Sequence, residues 1–231
     1  MAESLANKYR PREFSEMCGQ TSVVRILERQ VGLKEYKHAY LFTGPSGCGK
    51  TTVARILASK INGSLAGLEE LDAASNNGVE NVRQIIKSAQ ERSISSVYKI
   101  YIIDECHALS NQAWQAFLKC IEEPPEYTIF MFCTTDPQKI PATIVNRCQR
   151  YNLSKISTEQ IRDRLAYICE QEGYTNYHES VDYIAKVSDG GARDAIATLE
   201  KVASLSTDLS IENTLEALGT YSYDMFFGLA N

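Results

Sequence analysis

The sequence predicts an α/β domain built on a parallel sheet, followed by a small all-helical domain. Three observations carry this expectation. Short apolar runs of strand length alternate with helical patterns as far as about residue 155, the pattern of parallel strands joined by helical crossovers. A glycine-rich turn, Gly44-Pro45-Ser46-Gly47-Cys48-Gly49-Lys50-Thr51, joins one of those runs to a helical pattern. Beyond Ser154 the helical patterns continue with no strand signal between them.

Residues 40–43 are the apolar strand that enters the glycine-rich turn, and 52–61 the helix that leaves it. Residues 68–72 are a weaker strand candidate, and 78–91 read as a helix. Lys99-Ile100-Tyr101-Ile102-Ile103-Asp104 is a strong strand that ends in an acid. The helix over 111–122 is stopped by Pro124-Pro125, because proline cannot continue a helix and restricts the residue before it. Residues 128–135 form a strand ending in hydroxyls, 141–146 a short helix and 150–153 a short fifth strand. Helices over 158–171, 178–187, 192–204 and 211–218 follow. These patterns place one domain at 1–155, a helical domain at 156–220 and a linker or docking segment at 221–231. That last stretch is aromatic (Tyr221, Tyr223, Phe226, Phe227), and either packs back on the second domain or docks on something outside the chain.

With 44% hydrophobic residues and only 13 Gly and 6 Pro in 231, the composition is that of an ordinary globular chain. No run of 18 apolar residues predicts a membrane span, and polar residues 1–12 do not read as a signal peptide. The seven cysteines are scattered, with no C-x-x-C and no histidine cluster beside them. They support neither a zinc site nor a disulfide framework, and reduced thiols in a cytoplasmic setting follow. A net charge of −5 argues against coating nucleic acid through bulk charge, and leaves a local contact surface open.

The turn at Gly44–Thr51 reads G-x-x-x-x-G-K-T, the phosphate-binding loop, in the strand–turn–helix context that motif requires. Its glycines let backbone N–H groups wrap a polyphosphate, and the following helix N-terminus adds about half a positive charge there. Lys50 is placed to reach the β- and γ-phosphates and Thr51 to bind Mg²⁺. Asp104, closing an apolar strand, can order the metal. Glu105 directly after it is placed to orient or activate an attacking water. The strand candidate at 68–72 lies between the strands of Lys50 and Asp104. That fits the P-loop branch with an inserted strand and a catalytic Glu, and not kinases, whose two Walker strands are neighbours. Thr135 ends a strand expected beside that of Asp104, where a hydroxyl can hold the same water or the γ-phosphate. Asp104-Glu105-Cys106-His107 has a helicase-like look, but the remaining helicase motifs are not seen; His107 reads as a residue that caps or packs at the next helix.

At this point the residues match a family. The chain resembles the bacterial clamp-loader ATPases of the AAA+ class, the gamma/tau subunits of DNA polymerase III. The matching segments are Lys8-Tyr9-Arg10-Pro11 with Phe14 and Gly19-Gln20, His38-Ala39-Tyr40-Leu41-Phe42, Asp72-Ala73-Ala74-Ser75 and Ile103-Asp104-Glu105. Glu122-Glu123-Pro124-Pro125-Glu126, Thr134-Thr135-Asp136-Pro137-Gln138-Lys139, Arg147-Cys148, and Gly190 with Arg193-Asp194 complete them, collinear over about residues 4 to 220. The resemblance implies a five-stranded parallel AAA+ domain with a helical lid, binding ATP and Mg²⁺ between them. It implies Thr135 as sensor 1, Arg193 as sensor 2 on the lid, and Arg147 as a finger inserted in trans into the next subunit's site. By itself Arg147 reads as a surface ion pair, as does Arg193. The implied catalytic set is Lys50, Asp104, Glu105, Thr135, Arg193 and Arg147, with Thr51 and Asp104 on the metal. The implied nucleotide contacts are Tyr9, Arg10, Pro11, Met17 and Cys18 around the base, Gly44, Gly47, Cys48, Gly49, Lys50, Thr51 and Thr52 on the phosphates, and Ala192 with Arg193 from the lid.

Three departures stand out. The family's four-cysteine zinc module is replaced by a direct bridge, Asn62-Gly63-Ser64-Leu65-Ala66-Gly67. The family's Ser-Arg-Cys is Asn146-Arg147-Cys148. The sequence ends where the family's collar domain would begin, so it reads as a fragment or as a shortened relative working with other subunits. The implied function is ATP-dependent loading of a sliding clamp on primed DNA, within the DNA-directed DNA polymerase III holoenzyme. The implied partners are other clamp-loader subunits in a hetero-oligomer, a pentamer in the family, with the clamp and primed DNA. Arg83 and Lys87, one helical turn apart, read either as phosphate contacts or as a solvated polar face. The rival readings are another AAA+ DNA motor of branch-migration type and a scaffold subunit that does not hydrolyse.

Overall fold

Continuous apolar runs, and not alternating ones, form the middle of the sheet in this computed structural model, which describes residues 3–219. The aromatic stretch 221–231 lies outside the described residues. Every residue of β1 (Ala39–Thr43) and β4 (Thr128–Thr134) is buried, as are the four central residues of β3 (Lys99–Asp104). Strands covered by helices on both faces need this pattern. β2 (Leu68–Asp72) exposes Glu69 and Glu70, and β5 (Gln149–Asn152) is polar apart from Tyr151. Both lie at edges, where charge is tolerated and blunts pairing with other chains. The order is β2-β3-β4-β1-β5, and every pairing is parallel.

One expectation is corrected by this order. The strand between the Lys50 and Asp104 strands is β4, and β2 is at the edge. A central strand must bury both faces, which Ile129-Phe130-Met131-Phe132-Cys133 can do and Leu68-Glu69-Glu70-Leu71-Asp72 cannot.

The two-residue period of the strands divides the core. Tyr40, Phe42, Ile100, Ile102, Ile129 and Met131 face one cluster, with Leu27 of α2 (Thr21–Leu33) and Val53 and Leu57 of α3 (Lys50–Asn62). Leu41, Tyr101, Ile103, Phe130 and Phe132 face the other, with Val82 of α4 (Val79–Ala89) and Trp114 and Phe117 of α5 (Asn111–Glu122). Phe117 is fully buried, with its ring edge-on to Phe130 at 5.6 Å and to Phe132 at 5.4 Å. Phe117→Ala should therefore cost about 3–5 kcal/mol, seen as a lower urea midpoint at unchanged denaturant slope. A shift too small to resolve would mean that the site collapses freely.

The helix α2 has no counterpart in the sequence reading. Its buried residues Val23, Val24 and Leu27 are interrupted by Arg25 and followed at once by Glu28 and Arg29, so no long apolar run announces it. Its two ends are Gln20 and Lys34 in left-handed conformation, where a reader expects a hydroxyl cap and a glycine. The short α6 (Ala142–Val145) leads into β5.

Backbone contacts divide the chain between Ser154 and Lys155, and also after Arg10. Residues up to Arg10, expected in the α/β domain, group instead with the helices that follow Lys155. The reason lies in α1 (Leu5–Lys8). Leu5 is buried, and its N–H donates to Glu200 of α9 (Ala192–Ala203) at 3.2 Å. Lys8 and the Tyr9 hydroxyl donate to Glu172 of α7 (Thr158–Glu172), and Arg164 donates to the Tyr9 carbonyl. The helical unit also contains α8 (His178–Val187) and α10 (Ile211–Leu218). Its buried hydroxyls are satisfied: Ser180 donates to the Leu209 carbonyl and Thr214 donates to Ser180, each at 2.7 Å.

Candidate active site

The loop after β1 turns on glycines in conformations that side chains rarely adopt. Gly44, Gly47 and Gly49 have φ of 152°, 69° and 102°. A Cβ on Gly44 would also lie 2.5 Å from the Leu153 carbonyl oxygen, so the loop presses backbone against backbone. α3 starts at Lys50, two residues earlier than the sequence pattern suggests, which places Lys50 and Thr51 in its first turn. Free N–H groups and the positive end of the helix dipole are there.

Lys50 is only 6% exposed, and its ammonium donates to the Gly44 and Pro45 carbonyls at 3.1 and 2.8 Å. The Thr51 hydroxyl donates to Asp104 Oδ2 at 2.7 Å. The other oxygen, Oδ1, accepts the Glu105 N–H at 3.0 Å. Glu105 itself sits at φ 45° and ψ 43°, a left-handed conformation that turns its side chain away from the strand direction. Glu105 Oε2 accepts the Thr135 hydroxyl at 3.0 Å and the Thr135 N–H at 3.4 Å. β3 and β4 are neighbours, and Thr43 of β1 pairs with Thr134 of β4. The sheet thus brings Lys50, Thr51, Asp104, Glu105 and Thr135 together at the carboxyl ends of three adjacent strands, the position where open α/β sheets bind ligands.

Cys48, inside the loop, is fully buried, and burial raises its thiol pKa. It stays uncharged beside an anion site. Burial also pushes Cys148 up to about 12, and all seven cysteines are free thiols.

Two further residues shape this site in ways the sequence does not assign. Gln20 donates to the Cys48 carbonyl at 3.4 Å and the Ser154 carbonyl at 2.7 Å, and accepts the Ser154 N–H at 3.1 Å. It ties the phosphate-binding loop to the end of the domain. Gly19 and Gln20 are both in left-handed conformation, which the sequence does not announce. The other is His107, expected to cap or pack at the next helix. The cap of α5 is Ser110, which accepts the Ala113 N–H at 3.2 Å. His107 instead faces Glu105 Oε2 at 3.2 Å and Thr134 Oγ1 at 3.1 Å.

Met17 lies against the loop, 3.0 Å from where a Cβ on Gly49 would stand, and packs on the core; Cys18 follows it. Thr52 continues α3, and Pro11 opens the α/β unit. Tyr9 and Arg10 belong to the helical unit, where the Tyr9 phenol binds Glu172 and its ring meets Tyr167 edge-on at 6.3 Å. Ala192 and exposed Arg193 are the first two residues of α9. Arg147 pairs with Glu122 at 2.6 Å and donates to the Thr143 carbonyl at 2.7 Å.

The family model described as DNA polymerase III, delta subunit, matches residues 68–157. The chain is 38% identical to DNA polymerase III subunit tau of Bacillus subtilis (strain 168), over 95% of this chain and 43% of that protein. It is 35% identical to subunit tau of Escherichia coli (strain K12), over 97% of this chain and 38% of that one. It is also 35% identical to subunit gamma of Buchnera aphidicola subsp. Schizaphis graminum, over 93% and 65%. The chain therefore spans less than half the length of the tau relatives. The solved structure of the Thermotoga maritima RuvB Holliday junction branch migration motor matches it with a TM-score of 0.76 at 21% identity, over 91% of this chain and 72% of that one. At that identity the likeness shows a shared P-loop AAA+ fold. With the sequence similarity running through both units, this chain belongs to the family of the DNA polymerase III tau and gamma subunits.

Proposed function

We propose that this chain is an ATP-hydrolysing clamp-loader subunit, using ATP binding and hydrolysis to place a sliding clamp on primed DNA. The observation that carries the reading is the convergence of Lys50, Thr51, Asp104, Glu105 and Thr135 on adjacent strand ends, in a chain of this family. The triphosphate lies on the glycine loop, and Lys50 exchanges two loop carbonyls for phosphate oxygens. Thr51 and Asp104 fit Mg²⁺, since a hydroxyl and a carboxylate 2.7 Å apart are hard oxygen donors at the mouth of the loop. When bound, the ion supplies positive charge against the charge developing on the transferring phosphoryl group. Glu105 orients and deprotonates the attacking water. Thr135 serves as the phosphate-sensing hydroxyl, and Arg193 as the corresponding arginine of the helical unit.

Arg147 acts in trans, on the site of a neighbouring subunit. Its present partner Glu122 is no obstacle, because both side chains are more than a third exposed and such surface pairs contribute about 0–1 kcal/mol. Arg147→Ala should leave ATP affinity unchanged and cut turnover of the assembled complex by about 10³-fold or more. Turnover unchanged in the assembly would remove Arg147 from the site. The assembly is proposed as a hetero-oligomer, pentameric as the family resemblance implies, acting in the cytoplasm. Among the described residues, no helix is long and apolar enough to cross a membrane. For primed DNA, α4 offers Lys87 and Arg83, the latter paired with Glu80 at 2.6 Å.

The test is ATP hydrolysis by the protein with its partner subunits, with and without clamp and primed DNA. Stimulation by both supports the reading, and none defeats it. Strand separation or branch migration by the purified protein would favour a DNA motor of the kind whose fold it shares. Tight ATP retention without phosphate release would favour a scaffold subunit; the intact set of Lys50, Thr51, Asp104 and Glu105 argues against that.

A further inference from the structure

We infer that His107 is a positioning residue for Glu105: it fixes one carboxylate oxygen so that the other is presented to water. The inference rests on the hydrolytic reading of the site. Glu105 leads into a single 3-10 turn, Cys106–Ala108, closed by the Ala108 N–H on the Glu105 carbonyl at 2.9 Å. That turn brings the imidazole back over the Glu105 carboxylate. Nδ1 then stands 3.2 Å from Glu105 Oε2 and 3.1 Å from Thr134 Oγ1. A bare lone pair on Nδ1 would face a carboxylate lone pair and be repelled, so the proton is assigned to Nδ1, hydrogen-bonded to Thr134 Oγ1 with Glu105 Oε2 beside it.

Thr134 gives the ring a fixed reference. It is fully buried in β4, and its hydroxyl also accepts the Asp136 N–H at 3.0 Å. Two donors therefore converge on Glu105 Oε2, the Thr135 hydroxyl and the Thr135 N–H, and His107 Nδ1, hydrogen-bonded to Thr134, stands against the same oxygen at 3.2 Å. The second oxygen, Oε1, is the one left to take a proton from water.

The arrangement also resolves a conflict at Thr135. Its hydroxyl has one proton, which it gives here to Glu105. The same proton cannot be given to a γ-phosphate at the same time. When Thr135 turns to phosphate, His107 and the Thr135 N–H retain the carboxylate. Without His107, the glutamate would lose its side-chain anchor at the moment of attack.

The experiment compares wild type, His107→Ala, His107→Asn and Glu105→Gln in single-turnover ATP hydrolysis, with a fluorescent ATP analogue measuring affinity. Asparagine puts an amide N–H where Nδ1–H stands. In His107→Ala the hydrolysis rate should fall roughly ten- to a hundredfold, the scale of a misplaced reacting group. Affinity should stay within about twofold, the sign of an interaction used after binding. His107→Asn should recover most of the rate. A wild-type rate in His107→Ala, no recovery in His107→Asn, or affinity falling in step with rate would each overturn the inference. If Glu105→Gln is inactive while His107→Ala is normal, only His107 loses its role; if Glu105→Gln is as fast as wild type, the reading of the site falls with it.

Discussion

Glu105→Gln should bind ATP as wild type does and release phosphate about 10²–10⁴-fold more slowly, the range for a positioned general base. In barrier terms that is about 3–5 kcal/mol. The substitution changes little else. The amide oxygen can accept the Thr135 hydroxyl and N–H that Oε2 accepts now, so the side chain keeps its place. The neighbouring Asp104–Thr51 bond does not involve it. What is lost is a group able to take a proton, so the variant should trap the ATP state and retain nucleotide on a filter. A phosphate-release rate near that of wild type would place the base elsewhere.

Lys50→Ala should abolish ATP binding. The ammonium is nearly buried and, in this structure, held by the Gly44 and Pro45 carbonyls, an exchangeable pair of neutral acceptors. Phosphate oxygens are charged, and each charge-assisted hydrogen bond contributes about 1.5–3 kcal/mol. Losing two weakens affinity on the order of a hundredfold or more. A fluorescent ATP titration measures this, and a circular dichroism melt checks that the fold persists. The glycine loop and helix α3 remain in the variant, so near wild-type affinity would mean that backbone N–H groups alone hold the phosphates.

Much of this site was legible because its parts are contiguous in sequence. Gly44–Thr51 fixes a strand–turn–helix unit, since only glycines adopt φ of 102° or 152° cheaply and only a helix start presents a run of unbonded N–H groups. Asp104-Glu105 declares itself because an acid after four buried apolar residues must stand at a strand end. Arg147 read alone as a surface ion pair, and the structure does place it on Glu122. Its proposed work on a neighbouring subunit is invisible in one chain.

The parts that escaped the sequence reading depend on distance along the chain. Gln20 meets Ser154 across 134 residues, and nothing local to either marks the bond. His107 lies two residues after Glu105 in sequence, yet whether it caps α5 or faces the carboxylate depends on the left-handed turn at Glu105. Residues 3–10 join the helical unit, where Glu200 accepts from Leu5 and Glu172 accepts from Lys8 and Tyr9.

The sequence by itself determined the class of fold and the family, because periodicity and motif spacing are local properties of a chain. Only the tertiary structure decided which strand stands between β1 and β3, while the β3–β4 pairing that sets Thr135 beside Glu105 is the one the sequence expects. That choice follows from burial: a central strand is covered on both faces, and β4 can bury every residue where β2 cannot. The same burial put Thr134 and Thr135 at the site, and with them the hydrogen bonds that aim the glutamate.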